Sequence, residues 1–165
     1  MNFILLFTLS HPFYVKSSAF PEGTSEGKAK KKEEKGALFE KCEIKDCVFT
    51  DLKNADQGGG IFVKNLMALL HVFHSMFVGC CAQLNGGAIF ANCARFDLEQ
   101  AMFIDCYVSD AAWSGQSYYS MCNIASINSS TIFKCPKDEK LRGSEAAIMI
   151  GGVQCIRYLN SSYNI

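Results

Sequence analysis

The sequence predicts an all-β protein whose backbone coils as a parallel β-helix, a solenoid of about four turns. The first observation behind this fold class is a repeat with spacings of 26 to 30 residues. The second is that the segments within each repeat are short, partly alternating in polarity and suited to strands. The third is that this period is too short for the helix pairs of common helical repeats. Together they favour one solenoid domain over residues 37–165.

Two apolar positions recur in every repeat and predict two internal columns. Neighbouring coils of a β-helix lie about 4.8 Å apart, so residues at one repeat position stack on each other. The first column has spacings of 28, 26 and 29 residues and consists of Phe49, Phe77, Phe103 and Ile132. The second has spacings of 28, 29 and 30 residues and consists of Ile61, Ile89, Tyr118 and Ile148. A further apolar anchor precedes the first column by five residues, at Ile44, Val72, Leu98 and Ile127.

Glycines precede the second column in the first two repeats and predict a tight corner. Glycine tolerates positive φ and lets neighbouring backbones approach closely. The glycine motif decays in the third and fourth repeats, where Gly115 and Glu145 begin the corresponding segments. The predicted corner glycines are Gly59, Gly60, Gly86 and Gly87.

The chain has nine cysteines, and three of them follow the repeat. Cys80, Cys106 and Cys135 share one repeat position and are expected to stack as a column along a corner. Repetition explains them as buried free thiols, because a free cysteine packs as a small hydrophobe; disulfides between coils are the alternative. The cysteine count is odd, so at least one thiol lacks a partner within the chain. Neither Cys-x-x-Cys nor His-x3-His spacing occurs, and we predict no metal site and no cofactor.

The repeat is similar to the motif of a known family. Gly86-Gly87-Ala88-Ile89 reproduces the Gly-Gly-Ala-Ile half of the polymorphic outer-membrane-protein repeat, and Gly59-Gly60-Ile61 is close to it. The Phe-x-x-Asn half resembles the segments that begin at Phe77 and Phe103, which have cysteine at the Asn position. The match covers residues 44–150. The resemblance implies a right-handed parallel β-helix, cell-surface exposure and an adhesive or structural role, and it carries over no catalytic residue.

The N-terminal segment has a different character. Residues 1–19 resemble a secretory signal peptide, with an apolar run at residues 3–9 and small residues at Ser17 and Ala19 before a cleavage site. No Lys or Arg precedes that run, and the alternative is a strand buried in the fold. Residues 20–36 contain a run of mixed charge and predict a solvated, disordered linker.

An enzyme is the main functional alternative, because parallel β-helices also serve polysaccharide-active enzymes such as pectate lyases. Asp51 and Asp105 share a repeat position and would lie about two coils, roughly 10 Å, apart, a separation close to that of inverting glycosidases. The simpler interpretation places both as outward residues beside a turn, where aspartate is favoured. A Cys–His pair would require His74 to reach Cys80 or Cys81, and nothing in the sequence orients such a pair.

Composition and resemblance together limit the classes of function that fit this chain. Net charge is zero and 19% of residues are charged, which gives no electrostatic footprint for nucleic acid. No internal apolar run reaches the roughly 18 residues of a membrane span. The resemblance implies a non-enzymatic, secreted or cell-surface protein that adheres to a protein or glycan on another surface, or serves structurally. The ends of the stack are expected to be incomplete or poorly capped and open to self-association; a polysaccharide-active enzyme and a fragment of a longer repeat protein are the alternatives.

Overall fold

The computed structural model describes residues 8–9, 13–15, 40–110, 115–136 and 145–164. In these ranges the chain is all-β, and its parallel strands stack as a solenoid of about four turns, which confirms the predicted fold class. No helix long and apolar enough to cross a membrane occurs in these ranges.

Most strands of the described coils are short, from two to six residues. In chain order they are β1 (Thr8–Leu9), β2 (Phe13–Val15), β3 (Glu40–Lys45), β4 (Val48–Thr50), β5 (Lys53–Asn54), β6 (Ile61–Phe73), β7 (Met76–Val78), β8 (Cys81–Ala82), β9 (Ile89–Glu99), β10 (Met102–Ile104), β11 (Tyr107–Val108), β12 (Tyr118–Met121), β13 (Ile124–Asn128), β14 (Thr131–Phe133), β15 (Ala147–Ile150), β16 (Val153–Arg157) and β17 (Asn160–Ser162). The exceptions are β6 and β9, with 13 and 11 residues, because each continues through a bend and pairs with two strands of a neighbouring coil.

The strands form three parallel sheets around one apolar interior. The narrow sheet has the order β1-β4-β7-β10-β14-β17, and the short sheet has the order β11-β8-β5. The long sheet contains the remaining strands: β15-β12-β9-β13-β16 form its main path, and β6 joins β9 to β2 and β3. Residues 48–128 contribute strands to all three sheets in every coil, so this part of the chain encloses the core.

The first predicted column is a stack of buried rings on the narrow sheet. In register, Phe49 pairs with Phe77, Phe77 with Phe103, and Phe103 with Ile132. Ring centroids are 4.5 Å apart for Phe49 and Phe77 and 5.0 Å apart for Phe77 and Phe103, with interplanar angles of 7° and 9°. All four side chains are at most 1% exposed. Because each ring is covered by the next coil, burial of this column requires several stacked coils.

The second predicted column lies on the long sheet. Ile61 pairs with Ile89 and Ile89 with Tyr118, and all three side chains are buried. The Tyr118 ring is larger than an isoleucine side chain and extends toward Phe96 and Phe103, at centroid distances of 6.1 Å and 5.6 Å. Burial in these apolar surroundings raises the pKa of the Tyr118 hydroxyl.

The prediction that Ile148 continues this column is wrong by one residue. Tyr118 pairs with Ala147, and Ile148 pairs with Tyr119. Because side chains alternate along a strand, this shift moves Ile148 to the opposite face from Tyr118. A small alanine below Tyr118 leaves room for the large ring, whereas an isoleucine at that place would crowd it.

The corner before the long sheet requires glycine at Gly58, which directly precedes the predicted corner glycine Gly59. The glycines with positive φ at this corner are Gly58 at 65°, Gly86 at 68° and Gly115 at 75°. The counterpart of Gly86-Gly87 is therefore Gly58-Gly59, and the prediction of Gly60 as a corner glycine is wrong, because Gly60 aligns with Ala88. The reason is the strand register: Gly58 precedes its isoleucine by three residues, as Gly86 does.

The position after Gly58 and Gly86, occupied by Gly59 and Gly87, also needs glycine because two coils approach closely there. A Cβ on Gly59 would overlap the carbonyl oxygen of Gly87, and a Cβ on Gly87 would overlap that of Gln116 on the following coil. Gly60 is less constrained, since a Cβ there would lie 3.2 Å from the carbonyl oxygen of Ala88. At this corner, the closest approach between coils is thus at Gly59 and Gly87.

Two short strands lie within the segment that resembles a signal peptide. β1 pairs with β4 and β2 pairs with β6, so both extend the stack before the Phe49 coil. Cleavage after Ala19 would remove these strands and expose the edges of β4 and β6. The signal peptide stays a prediction, and the predicted linker at residues 20–36 lies outside the described residues.

The C-terminal end is capped on the narrow sheet and open on the long sheet. Ser161 pairs with Ile132 and so places a polar residue at the end of the first column. The Asn164 side chain accepts a hydrogen bond from the Cys135 amide at 2.7 Å and donates one to the Ile132 carbonyl oxygen at 3.4 Å. Every residue of β16 is exposed. At the C-terminal end of the described residues, the expected poor capping therefore applies to the long sheet.

Candidate functional site

Outward side chains of the long sheet form a regular polar surface, which we call the outer face. It comprises alternate residues of β3, β13 and the second halves of β6 and β9, in three rows that cross the strands. Neighbours in one row are about 4.8 Å apart. The rows are Lys41-Leu69-Arg95-Ile124, Glu43-His71-Asp97-Ser126 and Lys45-Phe73-Glu99-Asn128.

Charges on the outer face form close pairs. The Nζ atom of Lys41 lies 2.9 Å from Oε2 of Glu43, and Nε of Arg95 donates to Oδ2 of Asp97 at 2.7 Å. The hydrogen bond from Lys41 lowers the pKa of Glu43, and the hydrogen bond to Asp97 raises the pKa of Arg95. Exposed pairs of this kind contribute little to stability, so their main effect is to orient the side chains.

An aromatic cluster lies beside these charges on the outer face. The Phe73 ring is partly exposed and stacks on His71 with a centroid distance of 4.7 Å and an interplanar angle of 25°. The Nζ atom of Lys45 lies 5.2 Å from the centroid of the Phe73 ring, and Nε2 of His71 lies 3.9 Å from Oε2 of Glu99. An accessible ring with a cation and a carboxylate beside it can stack on an apolar face of a ligand and bind its polar groups.

A second candidate is an open groove of about 730 Å³ on the short sheet. Lys53, Cys81 and Tyr107 lie in register along it, and Ser109 lies beside them. Burial raises the pKa of the Cys81 thiol, although hydrogen bonds to Tyr107 and Ser109 oppose the rise. A protonated thiol is a poor nucleophile. Sequence analysis missed this row, although each member follows the Phe anchor of its coil by four residues.

The catalytic candidates in the sequence occupy separate places in the fold. Asp51 and Asp105 lie on non-adjacent coils with Gly79 between them, and their φ values are 54° and 53°. Aspartate tolerates this left-handed conformation better than most residues, which supports the expected turn position of both residues. His74 precedes β7, whereas Cys80 and Cys81 follow that strand. The Nδ1 atom of His74 lies 3.4 Å from a carboxylate oxygen of Asp46.

The predicted cysteine column lies inside the corner that follows the narrow sheet. Cys80, Cys106 and Cys135 are free and fully buried. The Sγ atom of Cys80 donates to the Phe49 carbonyl oxygen at 3.6 Å, and that of Cys106 donates to the Phe77 carbonyl oxygen at 3.5 Å. Burial raises the pKa of Cys106 well above its ordinary value. Among the described residues, no group of three or more His, Cys, Asp or Glu side chains could hold a metal ion.

A row of outward aromatic residues directly follows the second column and was also missed by sequence analysis. The ring centroids of Phe62 and Phe90 are 5.4 Å apart, and those of Phe90 and Tyr119 are 5.7 Å apart. Phe62 and Phe90 are buried, so this row is packing and not a binding surface. The signal in the sequence is an aromatic residue directly after Ile61, Ile89 and Tyr118.

The fold makes this chain a parallel β-solenoid. Comparisons with protein-family models, with curated proteins and with solved structures found no match. The resemblance of residues 44–150 to polymorphic outer-membrane-protein repeats therefore stays a prediction.

Proposed function

We propose that this chain is a non-enzymatic solenoid of the cell surface or the secreted space, and that its outer face adheres to a protein or glycan on another surface. The observation that carries the proposal is the cluster of Phe73, His71 and Lys45 among paired charges on a regular sheet. Aromatic residues and arginine are enriched at protein interfaces, and a few such side chains often dominate the free energy of binding.

The solenoid supports this role because it separates packing from recognition. Inward positions of the strands that carry the outer face are occupied by columns such as Val72, Leu98 and Ile127, which are buried and paired in register from coil to coil. Outward positions on the same strands are not needed for that stacking and can differ from coil to coil. From β3 to β13 the outer face spans three inter-strand gaps, about 14 Å, which is enough for a short saccharide or an extended peptide.

Binding of the full chain to cell surfaces and to immobilised glycans and proteins tests the proposal. We expect the wild-type chain to bind, and we expect Phe73→Ser and Arg95→Ser to weaken binding at least about tenfold each, as for residues at the centre of an interface. Met102→Ser is the matched control, because Met102 is an exposed apolar residue on the narrow sheet. Circular dichroism would show that all variants retain the solenoid.

Two results would contradict the proposal. One is equal loss of binding in Met102→Ser and Phe73→Ser, which would mean that the outer face is not the contact surface. The other is release of oligosaccharides from a polysaccharide by the purified chain, which would make it an enzyme of the class that parallel β-helices also serve.

A further inference from the structure

Two cysteines of neighbouring coils meet at the bend of the long sheet. Cys93 lies in β9, and Cys122 follows β12, 29 residues later in the chain. Their side chains are 2% and 3% exposed, and their Sγ atoms are 3.2 Å apart. The spacing equals one repeat, so the two thiols occupy the same position on successive coils.

These two thiols form an isolated pair. Asn65 occupies the same position on the preceding coil, in register with Cys93. Gly151 occupies it on the following coil, one residue beyond the paired end of β15. In the column of Cys80, Cys106 and Cys135, by contrast, the middle thiol has a cysteine on either side. Cys93 and Cys122 therefore have one partner each and no competitor within their column.

We propose that Cys93 and Cys122 are a site of covalent modification, where a small-molecule disulfide such as oxidised glutathione converts the pair into an intrachain disulfide that joins successive coils. The Cα atoms of residues paired on neighbouring strands lie about 5 Å apart, within the range that a disulfide bridges. The inference does not depend on the proposed adhesive role, because it follows from the position of the two sulfur atoms alone.

The pKa shifts of the two thiols favour their reaction with a disulfide. A hydrogen bond from Cys93 lowers the pKa of Cys122, although burial opposes the shift. The same hydrogen bond raises the pKa of Cys93, which keeps its proton. Cys122 is thus the thiol of the pair that ionises first and attacks the oxidant, since the thiolate is the nucleophile in disulfide exchange.

The reaction balances as two successive exchanges. The Cys122 thiolate attacks one sulfur of oxidised glutathione, forms a mixed disulfide and releases one glutathione thiolate. Cys93 then loses its proton to that thiolate, attacks Sγ of Cys122 and releases the second glutathione. Two protein thiols are oxidised and one small-molecule disulfide is reduced to two thiols. Local opening next to the exposed residues Met121 and Asn123 would admit the reagent.

The resulting bond would hold two successive coils together at their bend. A crosslink over 29 residues restricts the unfolded chain. In a solenoid it also strengthens the contact between the two neighbours that it joins. We therefore expect the oxidised chain to unfold at a higher temperature than the reduced chain, by about 5 °C or more.

Peptide mapping of the wild-type chain tests the proposal without any substitution. The folded chain is treated with oxidised glutathione, free thiols are then blocked with excess N-ethylmaleimide in denaturant near neutral pH, where they ionise enough to react, and chymotrypsin cleaves after Phe and Tyr. Residues 91–96 contain Cys93 as their one cysteine, and residues 120–133 contain Cys122 as theirs. We expect these two peptides to be joined, and recovery of both as separate alkylated peptides would overturn the proposal.

Two substitutions separate this pair from the other thiols. Cys122→Ser should abolish the difference in melting temperature between the oxidised and reduced chains. Cys155→Ser should preserve that difference, because Cys155 is an exposed thiol that is not part of the pair. A difference that disappears with Cys155→Ser and survives Cys122→Ser would assign the oxidation to another site. If Cys122→Ser does not fold, the peptide map of the wild-type chain decides.

Discussion

The backbone constrains single residues of this solenoid at two corners, one on each side of the narrow sheet. In the described ranges, nine non-glycine residues have positive φ, and they fall into two columns. Their types run from aspartate to tyrosine, so the corner position itself follows no sequence pattern. The column before the narrow sheet is Asp46, His74, Gln100, Ser129 and Tyr158, and the column after it is Asp51, Gly79, Asp105, Lys134 and Tyr163.

Asp105 tests whether the corner aspartates serve the backbone or a reaction. With φ at 53°, glycine should replace Asp105 with a change in unfolding free energy below about 1 kcal/mol, because glycine adopts this conformation freely. Asp105→Val should destabilise the fold by about 1–2 kcal/mol, since a β-branched residue is strained there. Urea unfolding followed by circular dichroism measures both. A greater loss in the glycine variant would show that the carboxylate itself stabilises the corner.

Gly86 and Gly151 separate the strain of positive φ from the closeness of neighbouring atoms. Both have positive φ, at 68° and 81°, but a Cβ on Gly86 would overlap the carbonyl oxygen of Ile89, whereas the nearest atom to a Cβ on Gly151 is 3.9 Å away. We expect Gly151→Ala to cost about 1–2 kcal/mol and Gly86→Ala about 3 kcal/mol or more. Urea midpoints at equal m-values measure the difference. Equal losses would mean that φ alone decides.

At the scale of strands, the sequence was sufficient where one residue type recurred at the same repeat position. The spacing of Phe49, Phe77 and Phe103 gave the register of the narrow sheet, because phenylalanine recurs at the centre of β4, β7 and β10 while the residues beside it vary. At residues 145–149 several small or apolar residues are adjacent, and two registers one residue apart fit the pattern equally well. The size of Tyr118 on the neighbouring coil selects between them, and a single repeat does not carry that information.

The candidate surfaces were harder to predict than the core, for a related reason. Spacing identifies the residues that stack, but a contact such as that of Phe73 with His71 and Lys45 depends on how outward side chains lean across a finished sheet. The pair of Cys93 and Cys122 could have been predicted from the sequence, since its spacing of 29 residues is one period of the repeat. It lies outside the Phe-x-x-Cys motif, so that motif does not reveal it.

At the scale of the whole molecule, contacts run along one axis, so the position of a coil in the stack decides its local stability. A middle strand such as β7 is paired on both sides, by β4 and β10. At the C-terminal end, β16 pairs with β13 and all of its residues are exposed. In a one-dimensional stack, the free energy of local opening should therefore fall from the middle coils to this end.

Asn164 provides a direct test of this gradient, because its side chain caps the last coil by hydrogen bonds to the Cys135 amide and the Ile132 carbonyl oxygen. Asn164→Ala leaves the Cys135 amide without its acceptor, which costs about 1–2 kcal/mol locally. Hydrogen exchange should then accelerate at Cys135 roughly tenfold while β7 keeps its protection. Asn160→Ala is the control, because Asn160 is exposed and its hydrogen bond to the Ser130 carbonyl oxygen is donated by the backbone amide, which the substitution keeps. Equal acceleration in every coil would show that the chain opens as a single unit, contrary to a solenoid that frays from its end.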